Sequence, residues 1–148
     1  MTLIKQVEQD MIQAAKAKDK IRLSALRLIK TATHNREIDL KRELNEAEML
    51  QLLSGMVKQR KDSIEQFAKG GRTDLVAQEE AELAIIQAFM PQQLSREEVE
   101  AEIEKAVVEA GATSVKDMGK VMKVLMPRIT GKADGKTVGD LVKARLAG

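Results

Sequence analysis

The side chains best placed to do chemistry in this chain are the lysines and glycines near its end. Asp117-Met118-Gly119-Lys120-Val121-Met122-Lys123, then Gly131-Lys132-Ala133-Asp134-Gly135-Lys136, then Val138-Gly139-Asp140-Leu141-Val142 read as a basic helix, a Gly-Lys loop and a short helix. Lys116, Lys120 and Lys123 fall at i, i+4 and i+7, which stacks three cations along the outer side of one helix. Arg128, Lys132, Lys136 and Lys143 extend the patch. Such a row suits ionic contact with successive phosphates, while a solvated helix face with cations favoured toward its C-terminus has the same spacing. Gly119 costs its helix about 1 kcal/mol relative to alanine. Its position four residues after Val115 and three before Met122 admits two reasons: close helix contact, or approach of a nucleic-acid backbone. Met118, Met122 and Met126 read as core filler.

Catalytic alternatives fall away on spacing. Gly131-Lys132-Ala133-Asp134-Gly135-Lys136-Thr137 is one residue short of a phosphate-binding Gly-x-x-x-x-Gly-Lys-Thr loop, and no strand precedes it. Asp134-Gly135 is better read as a turn. Acyl transfer needs a nucleophile, a base and an oxyanion hole, and no such set can be assembled. The one histidine, His34, reads as a surface residue beside Asn35 and Arg36, and no metal or cofactor site is expected. Arg60 falls three residues after Val57 and four before Ile64, on the inner stripe of its helix. A partly buried arginine needs a carboxylate partner, expected to be Glu80 or Glu82.

The elements that position these residues are helices. Phe67 and Phe89 are the only aromatics among 148 residues, so the interior must come from Leu, Ile, Val, Ala and eight Met. That composition favours packed helices over sheets. Leu3, Val7, Met11 and Ala14 mark a first helix ending near Ala17. Asp19 caps a second, running to about Glu37, with Ile21, Ala25, Leu28 and Ala32 on one stripe and Leu26, Ile29 and Thr33 beside it. That face is broad enough for burial between two neighbours. Asn45 with Glu48 reads as a capping box for a third helix lined by Leu53, Val57, Ile64 and Phe67 and stopped at Gly70-Gly71. Thr73 caps a fourth, which Leu83, Ile86 and Met90 carry to Pro91.

Pro91 pushes Met90 out of helical geometry and makes the best boundary. Ser95 and Glu98 form a second capping box, with Leu94 and Val99 as its hydrophobic staple, and Gly111 ends the fifth helix. Ser114 caps the sixth, whose Val115, Met118, Met122 and Leu125 face inward until Pro127, and Thr137 with Asp140 opens the seventh. The expected fold is all-α, an N-terminal four-helix part over residues 1–94 followed by a small three-helix bundle over 95–148.

Charge separates along the chain. The 25 basic and 23 acidic residues nearly cancel overall. Residues 95–110 nevertheless carry a balance of −4 and residues 111–148 a balance of +5. The absence of cysteine excludes disulfides, zinc-thiolate sites and thiol nucleophiles. No leader is visible at Met1-Thr2-Leu3-Ile4-Lys5-Gln6, and no apolar run nears the roughly 20 residues that span a bilayer. A cytoplasmic location without membrane contact is the expectation.

Four further segments complete a pattern. Leu23-Ser24-Ala25-Leu26-Arg27-Leu28-Ile29-Lys30, Lys58-Gln59-Arg60-Lys61-Asp62-Ser63-Ile64, Gly71-Arg72-Thr73-Asp74-Leu75 and Phe89-Met90-Pro91-Gln92-Gln93-Leu94-Ser95 stand in the order found in YqeY-like proteins. Phe and Met replace that family's usual Tyr and Leu before the proline. The basic C-terminal stretch resembles the related tail domain of the aspartyl/glutamyl-tRNA amidotransferase B subunit. The resemblance covers essentially the whole chain. It implies a four-helix part and a three-helix part, and it points to tRNA or another structured RNA as partner, bound by Lys116, Gly119, Lys120, Lys123, Arg128, Lys132, Lys136 and Lys143. With no Tyr or Trp to stack on bases, reading of shape and backbone is what remains. The competing expectations are a protein-interaction or regulatory module, or non-catalytic participation in glutamine-dependent tRNA amidation.

Overall fold

The computed structural model describes residues 2–148. Among them lie seven α-helices and one short 3₁₀ turn, and no strand. The chain divides into two compact units, the first ending at Met90 and the second spanning Pro91–Gly148.

In the first unit α1 (Leu3–Lys16), α2 (Lys20–Leu40), α3 (Glu46–Lys69) and α4 (Thr73–Gln87) surround one aliphatic core. Val7, Leu26, Ile29, Met49, Leu53 and Ile86 are its fully enclosed side chains. Asp19 caps α2 by accepting from the Arg22 N–H at 3.1 Å. Asn45 and Glu48 form the expected reciprocal box at the start of α3. Thr73 does not cap α4, because it is already the first helical residue and no side chain caps that helix. The α2 stripe also differs from expectation. Ala25, Leu26, Ile29 and Thr33 are buried, and Ile21 and Leu28 are exposed. Thr33 satisfies its hydroxyl by donating to the Ile29 carbonyl at 2.8 Å, which lets a polar group sit in the core.

Arg60 bridges α3 and α4. Its Nε lies 3.2 Å from Glu82 and 3.3 Å from Glu79. Of the two expected partners Glu82 is used and Glu80 is not, since Glu79 and Glu82 share a helix face and Glu80 is turned about 100° away. Glu82 is buried. Neither Arg60 Nε nor Glu79 Oε2 has an aligned hydrogen bond, so attraction of charge holds the group together.

The second unit packs α5 (Arg96–Ala110), α6 (Met118–Ile129) and α7 (Gly135–Ala147) around Val99, Ile103, Ala106, Val107, Val121, Leu125, Ile129, Val138, Val142 and Leu146. Ser95 and Glu98 form the expected capping box, and Gly111 ends α5 at φ 63°. Residues ahead of α5 are fastened to this unit: Leu94 N–H donates to the Lys132 carbonyl at 2.9 Å and Gln93 Nε2 to the Gly131 carbonyl at 2.7 Å. Gly131, at φ 78°, supplies the left-handed residue that turns the chain after α6.

Two consequences can be measured. Arg60→Ala leaves two carboxylates side by side on one face of α4 without the cation that holds them, and is expected to cost about 3 kcal/mol in denaturant unfolding followed by circular dichroism. The Glu48 carboxylate is held at about 2, first by the Arg42 guanidinium and then by the Asn45 N–H. Its depressed value means that its support for the start of α3 is complete above the ordinary value of 4.5 and is lost as pH falls toward about 2. Thermal melts of wild type and Glu48→Gln should therefore differ at pH 6 and converge at about pH 2.

Candidate nucleic-acid interface

Helix α6 starts later than its sequence suggests. Asp117 accepts from the Thr113 N–H at 2.9 Å and from its hydroxyl at 3.3 Å. The Thr113 N–H bond leads the interactions that hold the Asp117 carboxyl below its usual range. This clamp winds Val115–Asp117 into a 3₁₀ turn, and Ser114 makes no side-chain cap. Val115 is consequently exposed rather than inward-facing. Pro127 does not close the helix. It sits inside the last turn, where it removes one i→i−4 hydrogen bond, and α6 nevertheless continues to Ile129.

Helix α7 starts earlier than expected. Asp134 is its cap, accepting from the Thr137 N–H at 3.2 Å and its hydroxyl at 2.8 Å. Asp134-Gly135 is therefore a helix start rather than a free turn, and Lys136 belongs to the first turn of α7. The clue was an Asp three residues ahead of Thr137.

These starts place the cations. Lys120 and Lys123 share one side of α6, and Lys116 projects from the 3₁₀ turn ahead of it, so the three do not form one continuous α-helical stripe. Lys136 and Lys143 are seven apart on α7, and Lys132 lies in the connecting loop. A side-chain carbon built on Gly139 would sit 3.9 Å from the Met118 methyl, which brings the second turn of α7 beside the start of α6. All six lysines are exposed.

The basic side chains divide by partner. Arg128 is gripped by Glu109 of α5 at 2.7 and 2.8 Å, and that bond raises its pKa. Arg145 is paired with Glu104 of α5, whose carboxyl is pulled down. Lys120 has only a loose contact with Asp117 at 3.8 Å. Among the described residues Lys116, Lys123, Lys132, Lys136 and Lys143 form no ion pair. The acidic helix thus engages the two arginines and leaves the lysines in water. Sequence reasoning missed the part of Glu109, because its partner is 19 residues away and only the packing of α5 on α6 brings them together.

Gly119 is exposed, and an added side-chain carbon would meet nothing within 4 Å. Close helix contact, the structural reason expected for it, is absent.

Compared with known proteins, residues 4–146 match the family model described as Yqey-like protein. The chain belongs to the YqeY-like family. Its relatives include proteins named "Altered inheritance of mitochondria protein 41, mitochondrial". That of Kluyveromyces lactis is 32% identical over 141 residues, covering 93% of this chain and 72% of the relative. That of Lachancea thermotolerans is 36% identical over 106 residues, covering 70% and 57%. A Saccharomyces cerevisiae relative is 39% identical over 84 residues, covering 56% and 45%. The matched stretch thus spans little more than half the length of the Lachancea relative.

The mitochondrial names of these YqeY-like relatives overturn the expectation of a cytoplasmic location. Freedom from cysteine and short apolar runs are compatible with either compartment, so those features could not decide. Among the described residues no helix is long and apolar enough to cross a membrane, and no group of three or more His, Cys, Asp or Glu could hold a metal ion.

The open space at Gly119 fixes the sign of one substitution. Gly119→Ala is expected to stabilise α6 by about 0.5–1 kcal/mol, read as a raised thermal midpoint. A fall in the midpoint would mean that the glycine serves a packing contact.

Proposed function

We propose that this YqeY-like protein is an accessory RNA-binding module that grips the phosphate backbone of a folded RNA, with tRNA the first candidate. The observation that carries this reading is the division of the cations. Two arginines are held by α5, and six exposed lysines stand ahead of α6, on α6 and α7 and between them, with at most one loose acidic contact. Lysines of this kind act as point charges for phosphate and need no fixed geometry. Two further features support it. Gly119 opens the surface beside Lys120 without any internal need for a glycine, and the chain has no Tyr or Trp to stack on bases.

In this proposal Lys116, Lys120, Lys123, Lys132, Lys136 and Lys143 contact phosphates, and Gly119 lets the backbone approach. Arg128 takes part only by giving up Glu109. The module positions RNA and carries out no bond-making step itself. We also propose that the two compact units, residues 1–90 and 91–148, are separate domains, a four-helix part and a three-helix bundle, a division supported by two distinct buried cores.

Fluorescence anisotropy of labelled bulk tRNA titrated with the full chain tests this. With these six phosphate contacts, the slope of log K against log salt is expected to be about −4 to −5.5. Lys120→Glu with Lys123→Glu should weaken binding at least tenfold and flatten the slope by about 1.5 to 2, without loss of helical circular dichroism. Absence of binding at low salt would contradict the proposal.

A further inference from the structure

We propose that the outer face of α2 is a docking surface for an acidic amphipathic helix of a partner protein. Ile21, Ser24, Leu28, Thr31, Asn35 and Ile38 recur at steps of three, four, three, four and three, the spacing of a seam that receives a second helix. All six are exposed, and the three aliphatic members are open to solvent by 56%, 37% and 58%. Its three aliphatic members are interspersed with Ser24, Thr31 and Asn35, and the core of the first unit uses the neighbouring stripe of Leu26, Ile29 and Thr33 instead. Within its unit α2 has α1, α3 and α4 as neighbours, and none of them covers these six positions.

Charge selects the occupant. Lys20 and Arg27 each precede an a-type position of the seam, as does His34, so two cations and an imidazole line one edge of it. All three are exposed, and none has a carboxylate partner among the described residues. The helix has only two acids. Glu37 turns away to accept from the Leu44 N–H at 2.9 Å, which leaves Asp39. A second copy of this chain fits poorly. Antiparallel pairing sets the basic edge against itself, and parallel pairing sets it against Ala25, Ala32 and Asp39, with one compensating charge. A phosphate backbone gains nothing from three branched aliphatic side chains. A helix with apolar a and d residues and Glu or Asp along its flank satisfies both the seam and its edge, and Asn35 at an a position would fix the register.

The test uses the full chain and a labelled synthetic peptide with Leu at a and d and Glu at the flanking positions. Controls are the same peptide with Lys flanks or with Ser in the seam. Leu28→Ser with Ile38→Ser removes the apolar contact, and Lys20→Glu with Arg27→Glu reverses the edge. All four positions are exposed, and helical circular dichroism with a thermal melt checks each fold. The expected result is that the acidic peptide binds a monomeric chain, each double variant binds it at least tenfold more weakly, and neither control peptide competes. Absence of binding overturns the proposal. So does binding that the variants leave unchanged, equal binding of the Lys-flanked peptide, a dimer dissolved by Leu28→Ser with Ile38→Ser, or loss of tRNA binding in that seam variant.

Discussion

Burial of branched aliphatic side chains on helical stripes is the constraint from which the rest of this structure follows. With two phenylalanines and no Tyr or Trp, large rings are too few to anchor a sheet, and Phe89 alone of the two is buried in a core. Close approach of helices is the remaining way to exclude water. Each unit solves the problem with its own core, around Leu26, Ile29 and Leu53 in the first and Val121, Leu125 and Val142 in the second. The same scarcity governs recognition. A surface poor in stacking platforms is left to meet a partner by charge or by aliphatic contact.

Charge arrangement in the second unit follows from the packing of its core. Burying Ile103, Val107, Leu125 and Leu146 draws α5 against α6 and α7, and this brings Glu109 to Arg128 and Glu104 to Arg145. The acidic helix therefore neutralises the arginines nearest to it. Lysines pointing away from α5 keep their charge in water, where each pair is worth little to stability and each cation is free to meet an anion. The positive balance of this segment is thereby concentrated on fewer side chains than the sequence contains.

Much of the fold was legible in local chemistry. Asn45 with Glu48, Ser95 with Glu98, Asp19 and Gly111 act where their residue types say they should, because caps involve neighbours three or four residues away. What could not be read depended on competition or distance. The clamp of Asp117 on Thr113 overrides the capping of α6 by Ser114, and Asp134 displaces Thr137 at the start of α7. Periodicity showed that α2 has two apolar stripes, but only packing decided that Ile21 and Leu28 lie outside. The lysines of the candidate interface were visible from spacing. Their freedom from ion pairs was not, since that rests on where α5 lies. Location had no signal in the composition at all.

The most direct test of the central claim is the set of backbone amide shifts in the isotope-labelled full chain as tRNA is added. The account predicts that perturbations gather at residues 116–123 and 132–143 and spare α5. Shifts centred on the acidic helix or on the first unit, or a spectrum unchanged by excess tRNA, would contradict it.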